Sequence, residues 1–208
     1  MNSYDDEYNC SNTLFWDNLP AKFVKLFVEK NLLNLKGCKV LDLGAGEGKN
    51  TIYLAKHGAK VDAVDISQEA LRRLTLLPEY EVYKSQIDLY NIDALDFNSD
   101  QSYDLIVCYG LIHALDNKRE ALCIINKLKK LANEAGYIII ATFNNLLPPP
   151  SVQPYLKVDA FLDSDELKRL FNDWTILEYE ESIITETHST SNIEHQHSIS
   201  RLIAKKNV

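Results

Sequence analysis

The chain has 208 residues, 46% hydrophobic and 25% charged, and 22 Lys and Arg against 30 Asp and Glu leave a net charge of −8. That length suits one well-filled domain, and ordinary apolar content with 7 Phe and 11 Tyr excludes disorder. The negative balance disfavours nucleic acid as a partner, no apolar run reaches the ~18 residues of a membrane helix, and the acidic start has no export signal's apolar core, so a cytoplasmic protein is expected.

The first fifteen residues are polar and aromatic. A helix is predicted from Pro20, with Asp17 or Asn18 as its cap and Phe23, Phe27 and either Val24 or Val28 on one buried face. Gly37 closes that region, and Lys39–Leu43 reads as a short buried strand. Helices follow at Asn50–His57 and Ser67–Leu76, with Ser67 as cap and Pro78 beyond the end. Strands are predicted at Ala59–Asp65, Gln86–Ile92, Tyr103–Tyr109 and Tyr137–Phe143, with a helix over Asn117–Asn133 showing Leu122, Ile125, Leu128 and Leu131 on one side.

This β-α-β-α rhythm with continuously apolar strands predicts an α/β fold, a mostly parallel sheet with helices on both faces. After Pro148-Pro149-Pro150 the pattern changes to a short helix at Ser164–Asn172 and strands at Trp174–Glu181 and Ser198–Lys205. The polar stretch Ser182–His197 between them reads as a hairpin loop, which makes the last two strands an antiparallel pair. No repeat or linker divides the chain, so one domain is expected: a cap and helix at 1–36, a core at 37–143 and a substrate-side portion at 144–208. Cys10, Cys38, Cys108 and Cys123 show no CxxC spacing and read as free thiols, Cys108 and Cys123 as small core hydrophobes.

Only 7 residues are glycine, and Gly44, Gly46 and Gly48 fall together just after the first strand. In a parallel sheet, ligands bind at the carboxyl ends of the strands, where glycine lets a ligand approach the backbone. The spacing is not the dinucleotide GxGxxG, because Lys49 stands in the third glycine's place, and no phosphate loop's GKS or GKT follows. Acids accompany the loop: Asp42 inside the first strand, Asp65 ending the second about twenty residues on, and Asp93-Ala94 after the third. Asp65 stands where a carboxylate bonds ribose hydroxyls. Each acid alone also reads as a cap or solvated loop residue, but three at neighbouring strand ends favour a nucleoside ligand.

VLDLGAGEGKNTIYLAKHGAKVDAVDIS (Val40–Ser67), IDALDF (Ile92–Phe97) and YDLIVCYGLIHAL (Tyr103–Leu115) resemble, in order, the motifs of class I S-adenosylmethionine-dependent methyltransferases. DELKRLFNDWTILEYEE and HSISRLIAKK further resemble the tellurite-resistance B-like branch. The resemblance implies a Rossmann-like seven-stranded sheet of order 3-2-1-4-5-7-6 with strand seven antiparallel. It implies that S-adenosyl-L-methionine is the cofactor. Gly44, Ala45 and Gly46 would contact its methionine end with Asp42 facing the amino acid moiety, and Asp65 the ribose. Asp93, Ala94 and Ile66 would hold adenine, and Tyr109 and Gly110 would line the wall after strand four. The branch often has Cys where Ala45 stands, with no expected consequence.

Methyl transfer from a sulfonium needs an aligned acceptor, and a base only where the acceptor must lose a proton, so no catalytic residue is assigned. His113 reads as packing under the site rather than as a base. His195 and His197 share one side of an extended segment, but two ligands do not make a metal site, and no metal is expected. Tyr4, Tyr8 and Trp16 read either as a lid over the cofactor or as core anchors for the first helix. With no basic arm or base-reading motif, the expected acceptor is a small molecule methylated on O, N or a soft S, Se or Te atom, by a monomer or homodimer. A peptide or RNA acceptor, a non-catalytic cofactor-binding or regulatory module, and an NAD-dependent reductase are the alternatives. Specificity is sought at Pro148–Pro154 and Ser182–His197.

Overall fold

A computed structural model describes Tyr8 and residues 19–153, 156–187 and 193–208. The chain builds α1 (Lys22–Glu29), β1 (Lys39–Leu43), α2 (Lys49–Lys56), β2 (Lys60–Asp65), α3 (Gln68–Leu76) and α4 (Pro78–Tyr83). It continues with β3 (Ile87–Asn91), β4 (Tyr103–Tyr109), α5 (Lys118–Leu131), β5 (Ala132–Phe143), α6 (Glu166–Leu170), β6 (Thr175–Glu186) and β7 (His195–Lys205). The strands form one seven-stranded sheet of order β3-β2-β1-β4-β5-β7-β6. The first five pair in parallel, and β7 runs antiparallel to both β5 and β6.

Side chains that alternate along each strand feed two cores, one on each face of the sheet. Val40, Leu105, Ile139 and Ile203 pack with Phe23, Val24 and Phe27 of α1 on one face. Leu41, Ile106, Ile138 and Leu202 pack with Ile124, Ile125 and Leu128 of α5 and Leu167 of α6 on the other. The expected α5 face is therefore turned slightly: Ile125 and Leu128 are buried together with Ala121 and Ile124, Leu131 packs half-buried against the same core, and Leu122 is only half-buried. Cys108 belongs to the core, whereas Cys123 is exposed on the outer side of α5.

Several boundaries differ from the sequence reading for local reasons. Helix α1 starts at Lys22, with no side-chain cap; the N–H of Ala21 donates instead to Asn50 Oδ1 on α2, 2.9 Å away. The expected caps Asp17 and Asn18 lie outside the described residues. Ser67 does cap α3, accepting from the Ala70 N–H at 3.0 Å, and Pro78 begins α4 as its first residue, a position where its missing N–H costs nothing. Strand β5 starts at Ala132, well before Tyr137.

The largest correction lies at the C-terminus. Strands β6 and β7 extend to Glu186 and back to His195, so much of the expected polar loop is paired strand, and His195 and His197 are buried residues on a hairpin strand rather than loop residues. Their polarity hid the strand, because sheet pairing and one-sided burial do not require an apolar run. Among the described residues no helix is long and apolar enough to cross a membrane.

Candidate functional site

The turn after β1 is built from hydrogen bonds to β2. The N–H groups of Gly44 and Ala45 both donate to the Val64 carbonyl, at 2.8 and 3.0 Å. The Gly46 N–H donates to Asp65 Oδ2 at 2.8 Å, and Asp65 Oδ1 accepts from the Ser67 N–H at 2.8 Å. Asp65 thus ties the glycine loop to the start of α3. Gly44 adopts φ +79°, and a Cβ there would lie 2.8 Å from Leu111 Cβ, so both backbone and space require glycine.

The third strand end is set by its own last residue and by one side chain far from it in sequence. Asn91 donates through Nδ2 to the carbonyls of Asp65 and Ile66, at 3.1 and 2.8 Å, holding β2's end beside β3's. Asp93 Oδ1 accepts from the Leu95 N–H at 2.7 Å. Lys127, on α5, donates to the carbonyls of Ala94, Leu95 and Phe97 at 3.1, 2.6 and 2.8 Å, which neutralises three converging dipoles of that turn.

These segments enclose a cavity of about 670 Å³. Gly44, Ala45 and Gly46 wall it at β1, Asp65 and Ile66 at β2, Asp93 and Ala94 at β3, and Tyr109 and Gly110 at β4. Ile66 is 48% exposed and stands with the exposed Ile92 on the cavity wall, a pair of apolar side chains open to a flat ligand. Tyr8 also lines the cavity, with its backbone carbonyl accepting from Arg73, which in turn pairs with Glu47 at 3.0 Å. Tyr4 and Trp16, the other lid candidates, lie outside the described residues.

Asp42 is the one expected site residue that is not on the cavity wall. It is buried beneath the loop, where its Oδ2 accepts from the Thr51 hydroxyl at 2.6 Å and its Oδ1 has no partner among the described residues. Burial pushes its carboxyl up to about 6, further raised by Asp65 and opposed by the Thr51 bonds and Lys49.

Residues 18–199 match the family described as Tellurite resistance protein TehB. The chain belongs to this family. It is 33% identical over 153 residues to the probable S-adenosyl-L-methionine-dependent methyltransferase TehB of Haemophilus influenzae, covering 74% of this chain and 51% of that protein. The chain therefore spans about half the length of the curated TehB relative. The crystal structure of Haemophilus influenzae TehB superposes with a TM-score of 0.75 at 24% identity, over 99% of this chain and 67% of the other. Magnesium protoporphyrin IX methyltransferase from Synechocystis, solved with S-adenosylmethionine bound, has the same fold: TM-score 0.62 at 21% identity, over 98% of this chain and 80% of that one.

The far end of the cavity in this TehB-family chain is made by β4, β5, β6 and β7. His113, Phe143, Glu186 and Ile199 line it, with Tyr109 between them and the glycine loop. The Tyr109 hydroxyl accepts from Arg201 Nε at 3.0 Å, and Arg201 donates from Nη1 to Glu180 at 2.8 Å. His113 stacks on Phe143 at 3.8 Å and 17° between ring planes. Its Nδ1 accepts from the Phe143 N–H at 3.2 Å, and burial, with nearby His197, pushes its pKa down to about 3. Burial also raises the Glu186 carboxyl, against the attraction of His195, Lys49 and Arg201.

Lys127, Arg201 and Glu186 were missed from the sequence. Lys127 and Arg201 sit in ordinary helix and strand patterns, and only the packing of α5 on the β3 turn and of β7 beside β4's end brings them to the site. For Glu186 a signal existed: an acid and two histidines flanking one turn, with the histidines at strand spacing.

Proposed function

We propose that this chain is an S-adenosylmethionine-dependent methyltransferase acting on a small molecule through an O, N or S, Se or Te atom. The single observation that carries the small-acceptor reading is the cavity itself: it runs past the glycine loop to an end lined by His113, Phe143 and Ile199, beyond the residues assigned to the cofactor. Its volume lies within the roughly 300–1,000 Å³ of small-molecule sites.

The residues present fit the cofactor. Gly46, at φ +55°, would bring a Cβ to 3.2 Å from the Tyr8 hydroxyl, so a side-chain-free residue lets Tyr8 close directly onto the loop at the methionine end of the site. Asp65 would accept from the ribose, its carboxylate already oriented by two N–H donors. Ile66 and Ile92 would cover adenine with Asp93 and Ala94 at its edge. Asp42 would act from beneath the loop, its negative charge favouring the ligand's ammonium. When bound, S-adenosylmethionine supplies a methyl carbon on a cationic sulfur, open to attack by an acceptor lone pair.

The chain's own part is then binding, orientation and exclusion of water. His113 is neutral at ordinary pH; because Nδ1 accepts from Phe143, its proton is on Nε2. It serves as a hydrogen-bond donor to the cavity and not as a base. Tyr109, held by Arg201, faces the same space.

Calorimetry with S-adenosylmethionine and with NAD tests the cofactor, and mass spectrometry of methylated products from a panel of small phenols, amines, thiols and chalcogen oxyanions tests the acceptor. Binding of the first cofactor alone and a methylated small product are expected. Heat with NAD only would overturn the cofactor, and transfer confined to peptides or RNA would overturn the small acceptor.

A further inference from the structure

The β6–β7 hairpin carries a side-chain cluster that the cofactor reading leaves unused. Its register sets Glu186 directly opposite His195, with His197 two residues on. Alternate strand residues share a face, so both imidazoles point the same way and meet the carboxylate across the pair. One ligand atom from each of the three lies within 4.8 Å of the others.

The rings are already oriented. Nδ1 of His195 is 2.9 Å from the Ile193 carbonyl, and since a carbonyl only accepts, Nδ1 carries the proton of the neutral ring and Nε2 the lone pair. Metal-ligating histidines are held in this way by an outer hydrogen bond. His197 lies flat on Phe143 at 3.9 Å and 5°, edge-on to His195 at 5.0 Å and 87°. Its Nε2 is 4.0 Å from Glu186 Oε2. Both histidines are buried, while Glu186 and Thr187 reach the cavity wall.

We infer that Glu186, His195 and His197 bind a divalent first-row transition ion, zinc by its donor set, with one coordination position open toward the cavity. Two imidazoles and a carboxylate with a fourth position left to water or substrate make an open tetrahedral zinc site, whereas Mg²⁺ and Ca²⁺ take oxygen donors. Bonds of about 2.0–2.2 Å set ligand atoms about 3.4 Å apart, so the cluster needs to contract by roughly 1 Å. Glu186, at the end of β6, can supply that movement.

An ion here would ligate an acceptor's hydroxyl or thiol at the far end of the cavity and lower its pKa, so that its proton leaves to solvent without a protein base. That role rests on the methyl-transfer reading; the metal site does not.

The test is metal binding by the chelator-stripped full chain, using zinc alone in calorimetry and cobalt(II) for its visible d–d absorption. One equivalent of zinc and an intense four- or five-coordinate cobalt spectrum are expected. Glu186→Gln and His197→Ala should weaken binding by more than the roughly 10- to 100-fold that loss of an outer-shell partner costs, and His57→Ala should leave it unchanged. Far-UV circular dichroism and S-adenosylmethionine binding by His195→Gln serve as folding controls. Absence of stoichiometric uptake, or uptake equal in wild type and a folded Glu186→Gln variant, overturns the site. Zinc uptake without any S-adenosylmethionine heat would instead overturn the methyl-transfer reading and leave the metal site standing.

Discussion

Asp65 Oδ2 accepts the N–H of Gly46 across 2.8 Å, so the acid that ends β2 is also a fastener of the loop that follows β1. One carboxylate shapes the floor of the cavity and, under the proposed function, would also accept from the cofactor's ribose. Asp65→Ala removes both functions, and a hydrogen bond to a charged group contributes about 1.5–3 kcal/mol. The expected loss of S-adenosylmethionine affinity is roughly 10- to 100-fold. Calorimetry of the purified variant decides this; unchanged affinity would remove Asp65 from the cofactor site.

Lys127 gathers three carbonyls of the turn after β3 from a helix far away in sequence. Lys127→Met keeps much of the stem and removes the ammonium, leaving those carbonyls without their common donor. Amide exchange at Leu95–Phe97 should quicken, and S-adenosylmethionine affinity should fall by roughly tenfold with little change in the glycine loop. Exchange at Leu95–Phe97 identical to wild type would contradict the assignment.

Asp42 has a carboxyl held up to about 6 from an ordinary 3.8, first by burial. Between those values the folded chain binds the proton more tightly than the unfolded chain, so this group's contribution to stability falls as pH rises through that window. The change is on the order of 3 kcal/mol. Asp42→Asn does not titrate, so wild-type stability minus that of the variant should decline from pH 4 to pH 7 in urea unfolding. A constant difference would show that the carboxyl is not perturbed.

His113, with its pKa pushed down to about 3, stays neutral where the protein is assayed. A histidine base would give kcat/KM an inflection near its own pKa. His113→Asn is expected to lower the rate without changing the shape of the pH profile between pH 5.5 and 8. Loss of an inflection in that range on substitution would restore the base role.

Gly44→Ala sets a methyl 2.8 Å from Leu111 Cβ at φ +79°. Such a residue costs about 1–3 kcal/mol from backbone strain alone. The expected result is a lower urea midpoint together with weakened cofactor binding. Stability equal to wild type would mean that the loop is free to rearrange.

Much of this molecule was readable without coordinates. The runs at β1, β2 and β4 are apolar because a central parallel strand is covered on both faces, and that continuity marks them in one dimension. Gly44 and Gly46 were legible because backbone at positive φ leaves almost no other choice of residue, and Asp65 because the strand before it sets its distance from the loop. What depends on packing across the sheet was not legible. Lys127 reaches the β3 turn only once α5 lies on its face, and Asp42 was expected at the ligand but lies under the loop, against Thr51. Glu186, His195 and His197 are polar residues around a turn until the β6–β7 register sets them on one face. Local chemistry wrote the glycine loop into the sequence; the far end of the cavity exists only where four strands converge, and pairing between distant segments decided it.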